Sequence, residues 1–162
     1  MTAERIIAEA TRRHLTIAVA ESLTGGLLVA DLVAVPGASA VVTGGVVAYA
    51  TELKHRLLGV DAGLLAQRGA VDGEVARQLA VGARERLGVA GASASIGIST
   101  TGVAGPAATD GQPVGTVWIG YADESGSRST PLQLSGSRAE IRSAAVRAAL
   151  DVLEAGVRAS PE

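Results

Sequence analysis

The first structural unit of the chain is set by the stretch LTIAVAESLTGGLLVADLVAV, residues 15–35. Its apolar start at 15–20 predicts a buried strand. The glycine pair at 25–26 marks a turn, and the apolar residues that follow are spaced as in a helix. Ser22 lies where the strand meets the turn. Two interpretations stay open: a plain strand-to-helix connection, or a serine presented as a nucleophile among backbone N–H groups.

Helical and extended patterns alternate along the rest of the chain, and a hairpin precedes the last helix. Helices are predicted at about 2–13, 27–35, 52–58, 61–68, 73–88 and 138–157, and further strands at 41–50, 91–100, 116–122 and 129–135. This order predicts an α/β fold: a single three-layer α/β/α domain over residues 1–162, with a mixed, mostly parallel sheet. Residues 159–162 are expected to fray.

Local signals mark several of the element ends. Thr51 and Asp72 are expected to cap the helices that follow them. Ser137 and Glu140 have the spacing of a capping box at the start of the last helix. The pair Gly44-Gly45 predicts a bulge in the strand at 41–50.

The composition excludes several classes of protein. The chain has 14 basic and 16 acidic residues and only three aromatic ones, Tyr49, Trp118 and Tyr121. It therefore offers neither a basic surface nor stacking platforms for nucleic acid. No apolar stretch approaches the roughly 20 residues of a membrane span, and the N-terminus does not resemble a secretory signal. A cytoplasmic protein without nucleic-acid or membrane partners is expected.

The reactive residue types narrow the chemistry further. The chain has no cysteine, which excludes disulfides, thiolate nucleophiles and cysteine zinc sites, and two histidines are too few for a multi-histidine metal site. Neither a metal nor another cofactor is expected. A serine nucleophile needs a base, and Lys54 is the single lysine beside thirteen arginines. Lysine can lose its proton when desolvated, whereas arginine cannot.

Composition alone leaves the role of Lys54 open. A solvated lysine kept by chance is the more ordinary interpretation, and His55 is a competing base. Adjacent helical residues point in different directions, so only one of the two is expected to face the serine.

Seven motifs together carry a resemblance to a known family. They are AESLTGG (20–26), VPGAS (35–39), TGGVVAYATELKHRLLGV (43–60), GAV (69–71), TTGVAGP (100–106), PVGTVWIGYA (113–122) and SGSRAEIR (135–142). In this order they resemble the CinA C-terminal domain family, the nicotinamide mononucleotide amidohydrolases. The resemblance covers about residues 3–155 and favours the stand-alone form of the enzyme.

The resemblance implies an amidase that converts nicotinamide mononucleotide to nicotinate mononucleotide and ammonia, a step in pyridine nucleotide salvage. It implies Ser22 as the nucleophile and Lys54 as the base. Tyr49 corresponds to a tyrosine expected to hydrogen-bond within this dyad, and Thr101 to a site threonine. The resemblance also favours a homodimer.

Substrate contacts are predicted from the chemistry of the reaction. The oxyanion formed on attack needs N–H donors, and the turn containing Gly25 and Gly26 and the strand at Gly45 are the expected suppliers. Arg138 and Arg142 lie four residues apart on the last helix and are expected to hold the substrate phosphate.

Some residues depart from the family pattern. Leu23 stands where the family commonly has cysteine, and the AATDG loop at 107–111 differs from the usual glycine-rich form. Independently of these departures, two alternatives to the amidase stay open. One is a catalytically idle nucleotide-binding module, and the other is an amidase of a related pyridine or ribosyl amide.

Overall fold

The computed structural model describes residues 2–159, and five segments of it form one sheet. The strands are β1 (Ile17–Glu21), β2 (Val42–Val47), β3 (Ile96–Gly102), β4 (Thr116–Asp123) and β5 (Gly126–Gln133). Their order is β2-β1-β3-β4-β5. β1 pairs in parallel with β2 and β3, whereas β4 is antiparallel to β3 and β5. All strands except β4 thus run in one direction, and the prediction of a mixed, mostly parallel sheet is confirmed.

Two helical layers cover the sheet. The helices are α1 (Thr2–Arg12), α2 (Leu27–Val33), α3 (Thr51–Leu58), α4 (Ala62–Arg68), α5 (Gly73–Arg86) and α6 (Arg138–Ala159), with a short 3-10 helix at Ala38–Ala40. Helices α1, α2 and α6 pack together on one face, and α3, α4 and α5 pack on the other. The predicted α/β/α layering is confirmed.

The alternation of side chains along β1 builds both halves of the core. Ile17 and Val19 join the apolar cluster under α1, α2 and α6, whereas Ala18 and Ala20 join the cluster under α3 and α5. Successive strand residues face opposite sides of a sheet. Because helices cover both sides of β1, this short strand is buried along its whole length. Ser22 therefore lies directly at the carboxyl end of a fully buried strand.

The α5 helix lies unusually close to the sheet. A Cβ atom on Gly97 of β3 would lie 2.0 Å from the Ala80 carbonyl oxygen, and one on Gly120 of β4 would lie 2.0 Å from the Ala76 carbonyl oxygen. Glycine at these positions is what lets the two backbones approach.

Some element ends agree with the local signals, and others differ. The Ser137–Glu140 capping box and the Asp72 cap are both formed. Thr51 is the first residue of α3 rather than its cap, because the chain turns into the helix at Ala50 without a side-chain cap. β3 begins at Ile96, later than predicted. Residues 160–162 of the predicted frayed end lie outside the described residues.

The predicted bulge at Gly44-Gly45 is displaced. The irregularity lies at Thr43, since Val42 pairs with Ile17 and Gly44 already pairs with Ala18. Gly45 serves packing instead, because a Cβ there would lie 2.9 Å from a methyl carbon of Val29 on α2.

Candidate active site

Ser22 follows β1 directly and opens the turn that leads to α2. Its side chain is nearly buried, at 8% exposure. The Ser22 N–H donates to Thr100 Oγ1 at 3.4 Å, and its carbonyl accepts from the Gly25 N–H at 3.1 Å. Both ends of the residue are thus fixed by neighbouring backbone and side-chain groups.

Lys54 reaches Ser22 from α3. Its Nζ lies 3.1 Å from Ser22 Oγ and donates to the carbonyl oxygens of Ala48, at 2.8 Å, and Tyr49, at 3.2 Å. The residue is 1% exposed. Burial lowers the pKa of the Lys54 amine from 10.5 to about 8, because the charged form loses its hydration, while the Asp110 carboxylate acts in the opposite direction.

The two carbonyl contacts orient the amine. A neutral amine has two N–H donors and one lone pair. With the donors on Ala48 and Tyr49, the lone pair is left for the Ser22 hydroxyl proton. The arrangement is that of a nucleophile and its base within hydrogen-bonding reach.

His55, the competing base, is directed elsewhere. Its Nδ1 lies 2.8 Å from the Val60 carbonyl oxygen, at the end of α3. The structure thus brings Lys54 to Ser22 and gives the histidine ring a different partner, as expected for adjacent helical residues.

A cavity of about 210 Å³ opens beside the serine and the lysine. Its wall comes from the ends of β1 and β3, the start of α3, the loop after β3 and the start of α6. The lining residues are Ser22, Leu23, Tyr49, Thr51, Lys54, Ala70, Val71, Thr101, Gly102, Val103, Ala104, Gly105, Ala107, Thr109, Asp110 and Arg138. Ligands bind in this position, outside the carboxyl ends of parallel strands, in many α/β folds.

Tyr49 lines the cavity, but its hydroxyl does not contact the serine or the lysine. The Tyr49 hydroxyl accepts from Arg138 Nη2 at 3.0 Å, and the side chain is 60% exposed. The expectation of a side-chain hydrogen bond within the dyad is corrected: the link from Tyr49 to Lys54 runs through the backbone carbonyl. The exposed Tyr49 ring is therefore available to contact a ligand in the cavity.

Two neighbouring threonines have different surroundings. Thr101 lines the cavity and donates its hydroxyl to the Ala70 carbonyl at 2.7 Å. Thr100 was not predicted as a site residue. It contacts the Ser22 N–H and, at 2.8 Å, the Thr24 hydroxyl. The signal available in the sequence was that strand neighbours face opposite sides, so two adjacent threonines cannot share one environment.

The three glycines predicted as oxyanion donors do not serve as such in the structure. The N–H groups of Gly25 and Gly26 are hydrogen-bonded within the protein, and Gly45 lies away from the cavity. Gly25 donates to the Ser22 carbonyl. Gly26 donates to the buried Glu21 carboxylate at 3.0 Å, which also accepts from the N–H groups of Leu28 and Val29. Gly45 packs against α2 and is absent from the cavity wall. Glu21, which the sequence did not single out, therefore caps α2.

Arg138 and Arg142, which were predicted to hold the substrate phosphate together, make different contacts. Arg138 lines the cavity, where Nη1 donates to the Gly105 carbonyl at 2.5 Å and Nη2 to the Tyr49 hydroxyl. Arg142 is absent from the cavity wall. Its Nε donates to the Leu23 carbonyl at 2.8 Å and its Nη2 to the Thr24 carbonyl at 3.2 Å. The structure therefore does not bring both guanidinium groups to one phosphate position.

Comparison with known proteins places this geometry in a family. The model of the CinA C-terminal domain matches residues 1–157. The chain belongs to the CinA C-terminal domain family. It is 51% identical over 142 residues to a CinA-like protein of Frankia casuarinae, covering 88% of this chain and 32% of that protein. A CinA-like protein of an Anaeromyxobacter species is 44% identical over 156 residues, with 96% and 37% covered.

Solved structures of the CinA superfamily share the fold. The competence/damage inducible protein CihA from Agrobacterium tumefaciens matches with a TM-score of 0.88 and 36% identity, over 97% of this chain and 93% of that one. A CinA superfamily protein from Klebsiella pneumoniae gives a TM-score of 0.88 and 30% identity, over 97% and 96%. The chain spans about a third of the length of the curated CinA-like proteins that it matches. None of the helices described between residues 2 and 159 has the length and hydropathy that a bilayer crossing requires.

Proposed function

We propose that this CinA-family chain hydrolyses the carboxamide of nicotinamide mononucleotide, giving nicotinate mononucleotide and ammonia. The observation that carries the proposal is the 3.1 Å contact between Lys54 Nζ and Ser22 Oγ at the wall of a cavity. A lysine with its pKa near 8 is a base that a serine can use at neutral to mildly alkaline pH. A solvated lysine kept by chance would not be buried against a serine.

The reaction proceeds in two halves. Ser22 Oγ bonds to the carboxamide carbon while its proton passes to Lys54 Nζ, and the carbonyl oxygen becomes an oxyanion. The lysine then gives that proton to the leaving nitrogen, ammonia departs, and an ester to Ser22 is left. A water molecule attacks the ester with Lys54 again accepting the proton. Return of that proton to Ser22 Oγ releases the carboxylate and restores the enzyme.

The proposed substrate also carries a phosphate and a flat ring. Arg138 is the cation of the cavity wall proposed to hold the phosphate, because its guanidinium lies at the start of α6, where backbone N–H groups add donors. The exposed Tyr49 ring, held by Arg138, is proposed to pack on the pyridinium ring. A homodimer stays part of the proposal on the strength of the family resemblance alone.

The test is ammonia release from nicotinamide mononucleotide by the purified chain and by Ser22→Ala. We expect turnover by the native chain and none above background by the variant, with the same melting temperature. Ser125→Ala, in the exposed β4–β5 turn, is the matched control and keeps the native rate. Normal turnover by Ser22→Ala would refute the serine mechanism.

The choice of amide is tested in the same assay. Nicotinamide riboside lacks the phosphate and is expected to be a much poorer substrate than the mononucleotide. Equal turnover of the two would remove the phosphate from the proposal and favour an amidase of related ribosyl amides. No ammonia from any pyridine amide would favour an idle nucleotide-binding module.

A further inference from the structure

Two buried N–H groups stand next to Ser22 without an acceptor. The backbones of Leu23 and Thr24 form the turn after the serine, and the residues are 4% and 0% exposed. Within residues 2–159, neither N–H is hydrogen-bonded to a protein acceptor, although the neighbouring N–H groups of Ser22 and Gly25 are. Buried backbone N–H groups are rarely left unpaired. Leu23 lines the cavity, so an acceptor that arrives with the substrate would satisfy its N–H, whereas Thr24 does not line the cavity.

Arg142 constrains the peptide planes of this turn through two carbonyl contacts. A peptide unit is planar and trans, so a carbonyl and the N–H of the next residue point in opposite directions. Arg142 Nε holds the Leu23 carbonyl at 2.8 Å. The Thr24 N–H, on the same peptide plane, must therefore point away from Arg142.

The remaining planes of the turn are fixed in the same way. Arg142 Nη2 holds the Thr24 carbonyl at 3.2 Å, which directs the Gly25 N–H to the opposite side, and that N–H donates to the Ser22 carbonyl at 3.1 Å. The Ser22 carbonyl, held in this way, fixes the direction of the Leu23 N–H. The contacts of the Arg142 guanidinium, relayed through the Gly25 N–H, thus fix three successive peptide planes of the turn.

The close packing of Arg142 against the turn favours this positioning role over phosphate binding. The Arg142 guanidinium lies against the turn so closely that a Cβ on Gly25 would be 3.2 Å from Nη2. Gly25 also has a φ of 62°, which disfavours a side chain there. The glycine predicted as an oxyanion donor is instead what gives Arg142 access to the turn.

We propose that Arg142 is a positioning residue that, through the Thr24 carbonyl and the Gly25 N–H, directs the Leu23 N–H at the oxyanion formed on the substrate carboxamide. The proposal rests on the proposed function, because it requires attack by Ser22. The guanidinium does not contact the substrate; it holds the Thr24 carbonyl, and the Gly25 N–H on that peptide plane holds the Ser22 carbonyl, whose own plane carries the Leu23 N–H. The charged donor on the Thr24 carbonyl also polarises that peptide and strengthens the Gly25 N–H as a donor.

The test separates kcat from KM in three arginine variants of α6. For Arg142→Ala we expect kcat to fall about 100-fold, as for a lost oxyanion donor, with KM within about threefold of native. Arg138→Ala is expected to raise KM with less effect on kcat. Arg147→Ala, exposed on the same helix, is the matched control and is expected to keep both constants.

Two further measurements exclude a merely structural effect. Millimolar guanidinium ion added to Arg142→Ala should restore part of kcat at an unchanged melting temperature, and should leave Arg138→Ala without recovery of kcat. Arg142→Lys, a single-point donor, should lose about tenfold in kcat. If Arg142→Ala does not fold, the kcat of Arg142→Lys tests the positioning role.

The outcomes also separate this proposal from the proposed function. An Arg142→Ala enzyme with native kcat and raised KM, beside an inactive Ser22→Ala, would overturn the positioning role and leave the serine mechanism standing. A native kcat for Arg142→Lys would overturn it as well. An active Ser22→Ala would refute the serine mechanism itself, whatever the arginine variants do.

Discussion

Lys54 combines a charged functional group with almost complete burial, and it does so beside a serine. Its two backbone acceptors would also stabilise the ammonium form, yet loss of hydration dominates and the pKa of the amine falls to about 8. The side chain therefore changes protonation state close to physiological pH, as a lysine base must.

The protonation of Lys54 gives a prediction about rate. Only the neutral amine accepts the serine proton, so kcat/KM should rise with pH, pass its midpoint near pH 8 and then level off. Lys54→Met should lose this dependence together with most of the activity. A rate that is flat from pH 6 to 10, or that falls over this interval, would contradict the base role.

The same pKa sets a dependence of stability on pH. The unfolded chain binds a proton at Lys54 up to about pH 10.5, whereas the folded chain loses it near pH 8. Between these values the unfolded state holds more protons, and the contribution of Lys54 to the free energy of unfolding rises with pH. Below pH 8 the buried ammonium is a cost, which Lys54→Met would remove.

Two elements position the site: the turn between β1 and α2, and the α5 helix on the opposite face. The turn is held by the Glu21 carboxylate at the start of α2 and by Arg142 from α6. The α5 helix is held close by glycines in β3 and β4, which brings it over the strands that carry the site threonines. The Arg142 and α5 contacts join segments far apart in the sequence, whereas the Glu21 contacts with α2 span only five to eight residues.

A glycine substitution tests the close approach of α5. A Cβ on Gly120 would lie 2.0 Å from a backbone oxygen, so Gly120→Ala must displace the helix. We expect the free energy of unfolding to fall by about 2 kcal/mol, measured by denaturant titration. Gly44→Ala is the control, because a Cβ there meets no atom within 4 Å, and its effect should stay within about 0.5 kcal/mol.

The elements differ in how far the sequence predicts them. The Asp72 cap and the Ser137–Glu140 capping box were predictable because their partners lie within a few residues. The place of the bulge, at Thr43, was not, because it depends on the register of β2 against β1, which is not a local signal. Thr51 is not the cap because the chain enters α3 one residue earlier, with Ala50 at the N-cap position.

At the scale of the whole molecule, the site draws on distant parts of the chain. Ser22, Lys54 and Arg138 lie on three separate elements, and only the fold brings them to one cavity. From residues alone the base could be either Lys54 or His55. The family resemblance chose the lysine, and the structure gives each residue its own partner. The division of labour between Arg138 and Arg142 had no signal in the sequence, since both share one helix face.

The proposed chemistry runs through side chains and backbone groups of this chain. Within the described residues, no three His, Asp or Glu side chains converge as a metal site would need. We predict that the purified 162-residue chain keeps its full rate of ammonia release after dialysis against a chelator. Loss of the rate, with recovery on adding zinc or manganese, would show that the mechanism is wrong.

Because Lys54 is the single lysine of the sequence, an isotope label on lysine reports on this residue alone. Protein grown with lysine carrying carbon-13 at the ε position would give one side-chain NMR resonance, and it would belong to Lys54 without any mutation or assignment. Its chemical shift against pH would read the amine directly, in the resting chain and beside a bound product. The protonation of the Lys54 amine, which the pH dependence of the rate shows only indirectly, could thus be measured at the residue itself.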